Sequence, residues 1–182
     1  MVSLRSLKVQ CAWLAVCVLG LPGIYQSARA AEDTVQVALV IGNSSYRSIP
    51  LPNPVNDARD MSAKLRKLGF IVIERENLTG KQAGVTLREF RSKLKPGAVA
   101  LFFYAGHGLQ LKGNNYLPMV DAEIAGEEDV PMQSINVNQV LDMMEEAKTR
   151  LNLVFLDACR NNPFTRRFRS AAGGLAKVSA PS

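Results

Sequence analysis

The segment Ala98–Gly108, AVALFFYAGHG, decides how the rest of the chain is interpreted. Its first seven residues are almost entirely apolar, which predicts a short β-strand buried on both faces. The chain's single histidine, His107, follows this run between two glycines. A second apolar run, Leu151–Leu156 (LNLVFL), also predicts a strand, and residues 157–159 (DAC) follow it. A histidine and a cysteine therefore occupy equivalent positions after two predicted strands.

The remaining sequence alternates between strand-like and helix-like segments. This alternation predicts a three-layer α-β-α sandwich with a mainly parallel sheet, whose ligands bind beyond the carboxyl ends of the strands. If the strands that precede His107 and Cys159 are neighbours, about 4.8 Å apart, both side chains can face one cleft. The other predicted strands are Val35–Ile41 and Phe70–Ile73, and the predicted helices are Asn53–Leu68, Thr79–Leu94 and one that begins near Asn136.

Residues 1–30 have the pattern of a secretory signal peptide. Basic residues precede an apolar run, Cys11–Leu21, and Ala28-Arg29-Ala30 provides a small-x-small cleavage site. The run is about half the roughly 20 apolar residues that a membrane helix needs, so an uncleaved anchor is the weaker alternative. We therefore expect an exported protein, periplasmic or secreted, with no stable membrane anchor after cleavage.

Cleavage would change both the charge and the cysteine content. The full chain has 22 basic and 16 acidic residues, and removing residues 1–30 takes away three basic ones, which leaves 19 and 16. No basic stripe with interleaved aromatic residues is present, so nucleic-acid binding is not expected. Cys11 and Cys17 lie in the predicted signal, so Cys159 would be the single cysteine left and could form no internal disulfide. Such a thiol is either buried and inert or retained for its reactivity.

Two other kinds of site fit the sequence less well. A zinc site needs three or four ligands, and no further histidine or mature cysteine accompanies His107 and Cys159. No glycine-rich phosphate-binding motif follows the first predicted strand. We therefore predict no metal ligands, although a structural histidine and a buried cysteine remain alternatives to a functional pair.

The motifs YAGHG (residues 104–108) and DACRNNP (residues 157–163) resemble those of the caspase-like cysteine peptidases, in particular the bacterial branch near the metacaspases. The stretches ALVIGNSSY, NPVNDARDM and GNNYLPMVDA support the resemblance, which covers about residues 35–162. The histidine and the cysteine are 52 positions apart, and a spacing of roughly 50 is the one known for caspases. The resemblance implies a caspase-like fold and a cysteine endopeptidase acting on peptides or proteins.

The resemblance also implies a role for individual residues. Cys159 would be the nucleophile and His107 its proton partner, because the thiolate is the attacking species. The backbone N–H groups of Gly108 and Cys159 would form the oxyanion hole. Asp57 and Asp157 match the acidic residues of the substrate pocket, and two carboxylates favour Arg or Lys before the scissile bond. Asp57 could instead stabilise a helix N-terminus, and Asp157 could satisfy loop N–H groups.

No cofactor is expected, although calcium is left open. Many metacaspases bind calcium through acidic residues after the histidine motif, and Glu127-Glu128-Asp129 is such a run. Its acids do not alternate as they do in a calcium-binding loop, so a solvated acidic loop is the preferred interpretation.

The C-terminal part departs from the family pattern. The family sheet usually has six strands and only four are found, so we expect the C-terminal strands to be missing. We divide the chain into a signal peptide (1–30), a catalytic domain equivalent to the caspase large subunit (31–165) and a linker or truncated tail (166–182). A small-subunit partner is one possibility, and residues 166–169 (RRFR) fit a self-processing site of basic specificity. A non-catalytic interaction module on the same scaffold is the competing class.

Overall fold

The computed structural model describes residues 34–159, which form two sheets and four helices. The central sheet has the strand order β2-β1-β3-β7, and all its neighbouring strands are parallel. The strands are β1 (Gln36–Gly42), β2 (Ile71–Glu76), β3 (Val99–His107), β4 (Leu109–Leu111), β5 (Asn114–Pro118), β6 (Ser134–Asn136) and β7 (Leu151–Cys159), and the helices are α1 (Pro54–Lys67), α2 (Gly80–Lys93), α3 (Asp129–Met132) and α4 (Val137–Glu146).

The central sheet is covered by helices on both faces. Helix α1 packs on one face through Ala58 and Leu65, against alternate residues of the strands such as Val40 and Phe103. Helices α2 and α4 cover the opposite face, where the larger core contains Phe90 and the side chains of their inner faces. This arrangement confirms the predicted three-layer sandwich with its mainly parallel sheet.

Strands β3 and β7 run further than their apolar runs predicted. The ladder between them continues through Gly106–Ala158 and ends at His107–Cys159. The prediction that the histidine and cysteine follow the strands was therefore wrong by a few residues, because backbone pairing persists through small residues that show no strand pattern. His107 and Cys159 are the last residues of two neighbouring parallel strands.

The sequence predicted no strand or helix between β3 and α4, but the structure has both there. This segment contains α3 and a three-stranded antiparallel sheet with the order β4-β5-β6. The turn between β4 and β5 uses Lys112 and Gly113, both with positive φ, as tight hairpin turns require. These strands have only three to five residues each, which is too few for an alternating pattern to stand out.

Several predictions concern parts of the chain beyond the described residues. The signal peptide, the 166–182 tail and its RRFR sequence all lie there, and they stay predictions. Within residues 34–159, no helix has both the length and the apolar character needed to cross a membrane.

Candidate active site

The predicted dyad residues lie side by side at the carboxyl edge of the central sheet. His107 ends β3 and Cys159 ends β7, and the two residues are direct register partners in the parallel ladder. The side chain of His107 is buried, with 3% of the residue exposed. The side chain of Cys159 lies outside the described part of the structure. Parallel neighbours are about 4.8 Å apart, so the backbone brings the two positions within reach of one reacting group.

The imidazole of His107 is oriented by a backbone carbonyl. Its Nε2 atom is 2.7 Å from the carbonyl oxygen of Ile49, and since a carbonyl only accepts, Nε2 carries the proton. Nδ1 is buried and has no partner among the described residues. Burial lowers the pKa of His107, and the Ile49 carbonyl opposes this in part. The imidazole is therefore neutral, with its proton on Nε2 and, on Nδ1, a lone pair that accepts no hydrogen bond from a described residue.

The Ile49 carbonyl that binds the His107 ring was not predicted from the sequence. It comes from the loop between β1 and α1, which two asparagines hold in place. Asn43 is buried and bridges the Leu78 N–H and the Pro118 carbonyl. Asn77 has a φ of 52° and accepts hydrogen bonds from the first two amides after Asn43, at Ser44 and Ser45.

Asp57 and Asp157 line one pocket of about 300 Å³ next to the ends of β3 and β7. Strand register explains how they come together, because Gly42, Ala105 and Asp157 form one row across three strands. The first turn of α1 packs directly over Gly42, where an added Cβ would come within 2.6 Å of Ala58. Asp57 lies in that first turn. The rest of the lining is Leu51, Pro52, Asn53, Pro54, Ala105 and Gly106.

Asp57 fits both of its interpretations, as a substrate-pocket acid and as an acid at a helix N-terminus. The residue is half-buried in the first turn of α1, where the helix dipole favours an acid, and it also faces the pocket. Asp157 is exposed on β7 and belongs to the same lining. The pocket has the volume of a small-ligand site, at the lower end of the usual range. Its two carboxylates give it an acidic wall suited to a cation.

Gly108 follows His107 directly and is buried between β3 and β4. The second backbone group predicted for an oxyanion hole, the N–H of Cys159, belongs to the last residue of β7. The two predicted donors thus come from the ends of adjacent strands.

The acidic run at residues 127–129 has a structural use. A carboxylate oxygen of Asp129 accepts hydrogen bonds from the backbone N–H groups of Ala125 and Gly126, which lower its pKa. These bonds form the turn that leads into α3. Among the described side chains, which do not include that of Cys159, no group of three or more histidine, cysteine, aspartate or glutamate residues is placed to hold a metal ion.

Comparison with known proteins agrees with this fold. The family model for the caspase domain matches residues 35–180 of the chain. That match covers most of the sequence, and the chain therefore belongs to the caspase family. Membership of this family supports a cysteine-peptidase-like function.

Individual relatives are similar over about two thirds of the chain. The chain is 37% identical over 129 residues to mucosa-associated lymphoid tissue lymphoma translocation protein 1 of Homo sapiens, covering 69% of this chain and 15% of that protein. It is 28% identical to cell death protein 3 of Caenorhabditis remanei, over 68% of this chain and 23% of that protein. It is also 28% identical to caspase-1 of Sus scrofa, over 69% and 31%. The chain spans less than a third of the length of these relatives.

Proposed function

We propose that this protein is a cysteine endopeptidase of the bacterial metacaspase-like branch, with Cys159 as nucleophile and His107 as proton partner. One observation carries the proposal: the register pairing of His107 with Cys159 at the edge of a parallel sheet, directly beside a pocket with two carboxylates. Two residues that can do acyl-transfer chemistry and a cleft that can hold a substrate thus occupy the same end of the sheet.

The proposed chemistry depends on the neutral His107 imidazole, whose Nδ1 can accept a proton. Nδ1 of His107 takes the thiol proton of Cys159, and the thiolate attacks the carbonyl carbon of the scissile bond. Backbone N–H groups of Gly108 and Cys159 stabilise the oxyanion that forms. Collapse of this intermediate releases the amine, which receives the proton from His107, and leaves a thioester. Water then hydrolyses the thioester and restores the thiol. These steps need only side-chain and backbone groups, with no cofactor.

The specificity that we propose is for Arg or Lys before the scissile bond. Asp57 and Asp157 supply acceptor oxygens on the pocket wall, and a guanidinium can bind a carboxylate through two parallel hydrogen bonds. An acidic substrate side chain would meet two like charges there. Selection by the pocket therefore depends on both charge and hydrogen-bond geometry.

Fluorogenic peptides that differ in one residue test this proposal. Peptides ending in Arg, Lys and Asp are compared with the wild-type protein and with the Cys159→Ala and His107→Ala variants. We expect hydrolysis after Arg and Lys that both variants lose. Preferential cleavage after Asp would refute the specificity, and hydrolysis that survives Cys159→Ala would refute the nucleophile.

A second candidate is a weakly active or inactive module that needs a further segment, such as a small-subunit part. Among the described residues, β7 pairs with β3 alone, and Phe155 and Leu151 on it are about half exposed (49% and 47%). An electrophilic peptide ending in Arg separates the candidates, because a competent site becomes labelled at Cys159 and an inactive module does not react there.

We further propose that the protein is exported and that the signal is removed after Ala30. Mass spectrometry of the protein recovered from the exported fraction should give Ala31 as the first residue. The same spectra test self-processing near residues 166–169, where cuts should disappear in Cys159→Ala. Cuts that persist in that variant would rule out self-processing.

A further inference from the structure

The backbone of His107 lies beyond the end of the neighbouring strand. Strand β1 stops at Gly42, which pairs with Ala105, so no β1 residue lies opposite His107. Strand β7 continues to pair on the other side of β3. Buried backbone groups that lose a ladder partner need another one, since leaving them unpaired costs free energy.

Two tyrosine hydroxyls take the place of the missing strand. The N–H of His107 donates to the hydroxyl of Tyr46 at 2.9 Å, and the carbonyl of His107 accepts from the hydroxyl of Tyr104 at 2.7 Å. The two hydroxyls are 2.8 Å apart. Because Tyr104 uses its one proton on the carbonyl, Tyr46 donates to Tyr104. The three bonds form a closed ring through the peptide groups of His107.

Both tyrosines are buried at positions where a phenylalanine ring would occupy the same space without a hydroxyl. Tyr104 is fully buried and Tyr46 is 4% exposed. Burying a hydroxyl costs free energy unless it is hydrogen-bonded, so these two groups are compensated by the ring of bonds around His107. Burial also raises the pKa of Tyr104 well above its ordinary value, which keeps its proton available for donation.

Tyr46 contacts the imidazole as well as the backbone. The ring centroids of Tyr46 and His107 are 4.4 Å apart with an interplanar angle of 51°, a tilted aromatic pair. Tyr46 belongs to the same loop as Ile49, whose carbonyl binds Nε2. One loop thus restrains the His107 main chain, one face of its ring and one of its ring nitrogens.

From these contacts we propose that Tyr46 and Tyr104 are positioning residues for His107: their hydroxyls fix its peptide groups so that Nδ1 is held toward the reacting thiol. This inference rests on the proposed peptidase function, since it assigns the pair a role in that reaction. Neither tyrosine touches the reacting atoms in this scheme. Both act through the histidine.

The test compares Tyr46→Phe and Tyr104→Phe with Tyr116→Phe, a control that makes the same change on β5, where the ring packs in a separate apolar cluster. Rates are measured on a peptide ending in Arg and divided by the concentration of active sites. We expect kcat to fall roughly 10- to 100-fold in Tyr46→Phe with KM changed less than about twofold, because small misplacements of a catalytic group have effects of this size.

The order of the effects is also diagnostic. Tyr46→Phe leaves the buried N–H of His107 without its acceptor. Tyr104→Phe removes a donor to the His107 carbonyl and the acceptor of the Tyr46 hydroxyl, but the His107 N–H keeps its bond to Tyr46, and proteins tolerate an under-satisfied carbonyl better than an unpaired N–H. We therefore expect Tyr46→Phe to be slower than Tyr104→Phe, and Tyr116→Phe to match wild type. The double variant Tyr46→Phe/Tyr104→Phe should be only slightly slower than Tyr46→Phe, because the pair acts as one unit.

A second readout does not depend on activity. His107 is the single histidine of the chain, so the ring nitrogens of a sample made without a histidine tag give an unambiguous 15N spectrum. Wild type should show Nε2 protonated and Nδ1 unprotonated, and Tyr46→Phe should shift the tautomer balance or the titration midpoint of the ring. Wild-type spectra and unchanged kcat in both tyrosine variants would overturn the proposal. A loss explained wholly by fewer folded molecules would overturn it too.

The two proposals fail in different ways. If wild type cleaves none of the peptides while the spectra change as expected, the peptidase function fails and the positioning of the ring by the tyrosine pair stands. If wild type is active and the variants equal Tyr116→Phe in rate and spectrum, the positioning role fails and the peptidase function stands.

Discussion

The substitution Gly106→Ala should damage the site more than its size suggests. Gly106 precedes His107, and a Cβ atom there would lie 2.5 Å from the Tyr46 hydroxyl and 2.7 Å from the Tyr104 hydroxyl. To reach an ordinary contact of 3.4 Å, the Tyr46 hydroxyl must move by about 0.9 Å. Its bond from the His107 N–H is already 2.9 Å long, and good bonds of this kind end near 3.2 Å. The methyl group therefore costs a hydrogen bond as well as a steric clash.

The expected magnitude follows from these two effects. Overpacking a tight interior costs about 1–3 kcal/mol, and an unpaired buried N–H costs about the same. We therefore expect Gly106→Ala to lower the free energy of unfolding by about 2–6 kcal/mol, a large part of the roughly 5–15 kcal/mol that stabilises a domain. Urea unfolding followed by circular dichroism measures this loss. Peptide hydrolysis per active site should fall roughly 100-fold, because His107 is displaced with its peptide group.

Gly84→Ala is the matched control. Gly84 lies exposed in α2, and an added Cβ would come no closer than 3.4 Å, to the flexible end of Arg88. The same methyl group should stabilise the protein there by roughly 0.5–1 kcal/mol, because alanine favours a helix over glycine. A Gly106→Ala protein with the stability and activity of Gly84→Ala would refute the steric reasoning.

Three further outcomes follow from the site. Asp57→Asn should lower kcat/KM for an Arg peptide roughly 10- to 100-fold, mainly through KM, since it removes a charged acceptor. The control Asp60→Asn changes an exposed residue three positions further along α1 and should change kcat/KM little. Equal effects of the two substitutions would contradict the assignment of Asp57 to the pocket. Asn77→Ala should destabilise the protein by about 1–3 kcal/mol in urea unfolding, because two loop amides lose their shared acceptor. Burial lowers the pKa of His107, so the unfolded chain binds this proton more readily: the stability that His107 contributes should be complete above about pH 6.5 and be lost as the pH falls toward its lower folded pKa, a dependence absent in His107→Gln.

Much of the scaffold and its edge could be predicted from local sequence. Strands β3 and β7 begin as short apolar runs, and the residues that end them are of types rare in this chain, so His107 and Cys159 stood out. Helix α2 begins where a helix was predicted from Thr79, with a capping box in which Gln82 accepts a hydrogen bond from the Thr79 N–H. Each of these patterns spans only a few residues, and the tertiary packing favours the same local structure that the pattern predicts.

The groups that orient His107 could not be predicted, and the reason is physical. The Ile49 oxygen is a backbone atom, and every residue carries one, so no residue type marks its use. Tyr46 is 61 positions from His107 in sequence, and their contact depends on how the β1–α1 loop folds. The β4-β5-β6 sheet was missed because its strands are short and rich in asparagine around Asn114.

The loop between β1 and α1 has one further consequence. Its Ile49 carbonyl accepts a hydrogen bond from the His107 imidazole, and Leu51 and Pro52 of the same loop line the pocket where Asp57 lies. A substitution that reshapes the pocket wall should therefore also move a carbonyl that raises the pKa of His107 against the effect of burial. Under the proposed peptidase function, substrate preference and the lower pH limit of activity are therefore coupled in this scaffold, and selection for a new cleavage residue should also change the working pH range.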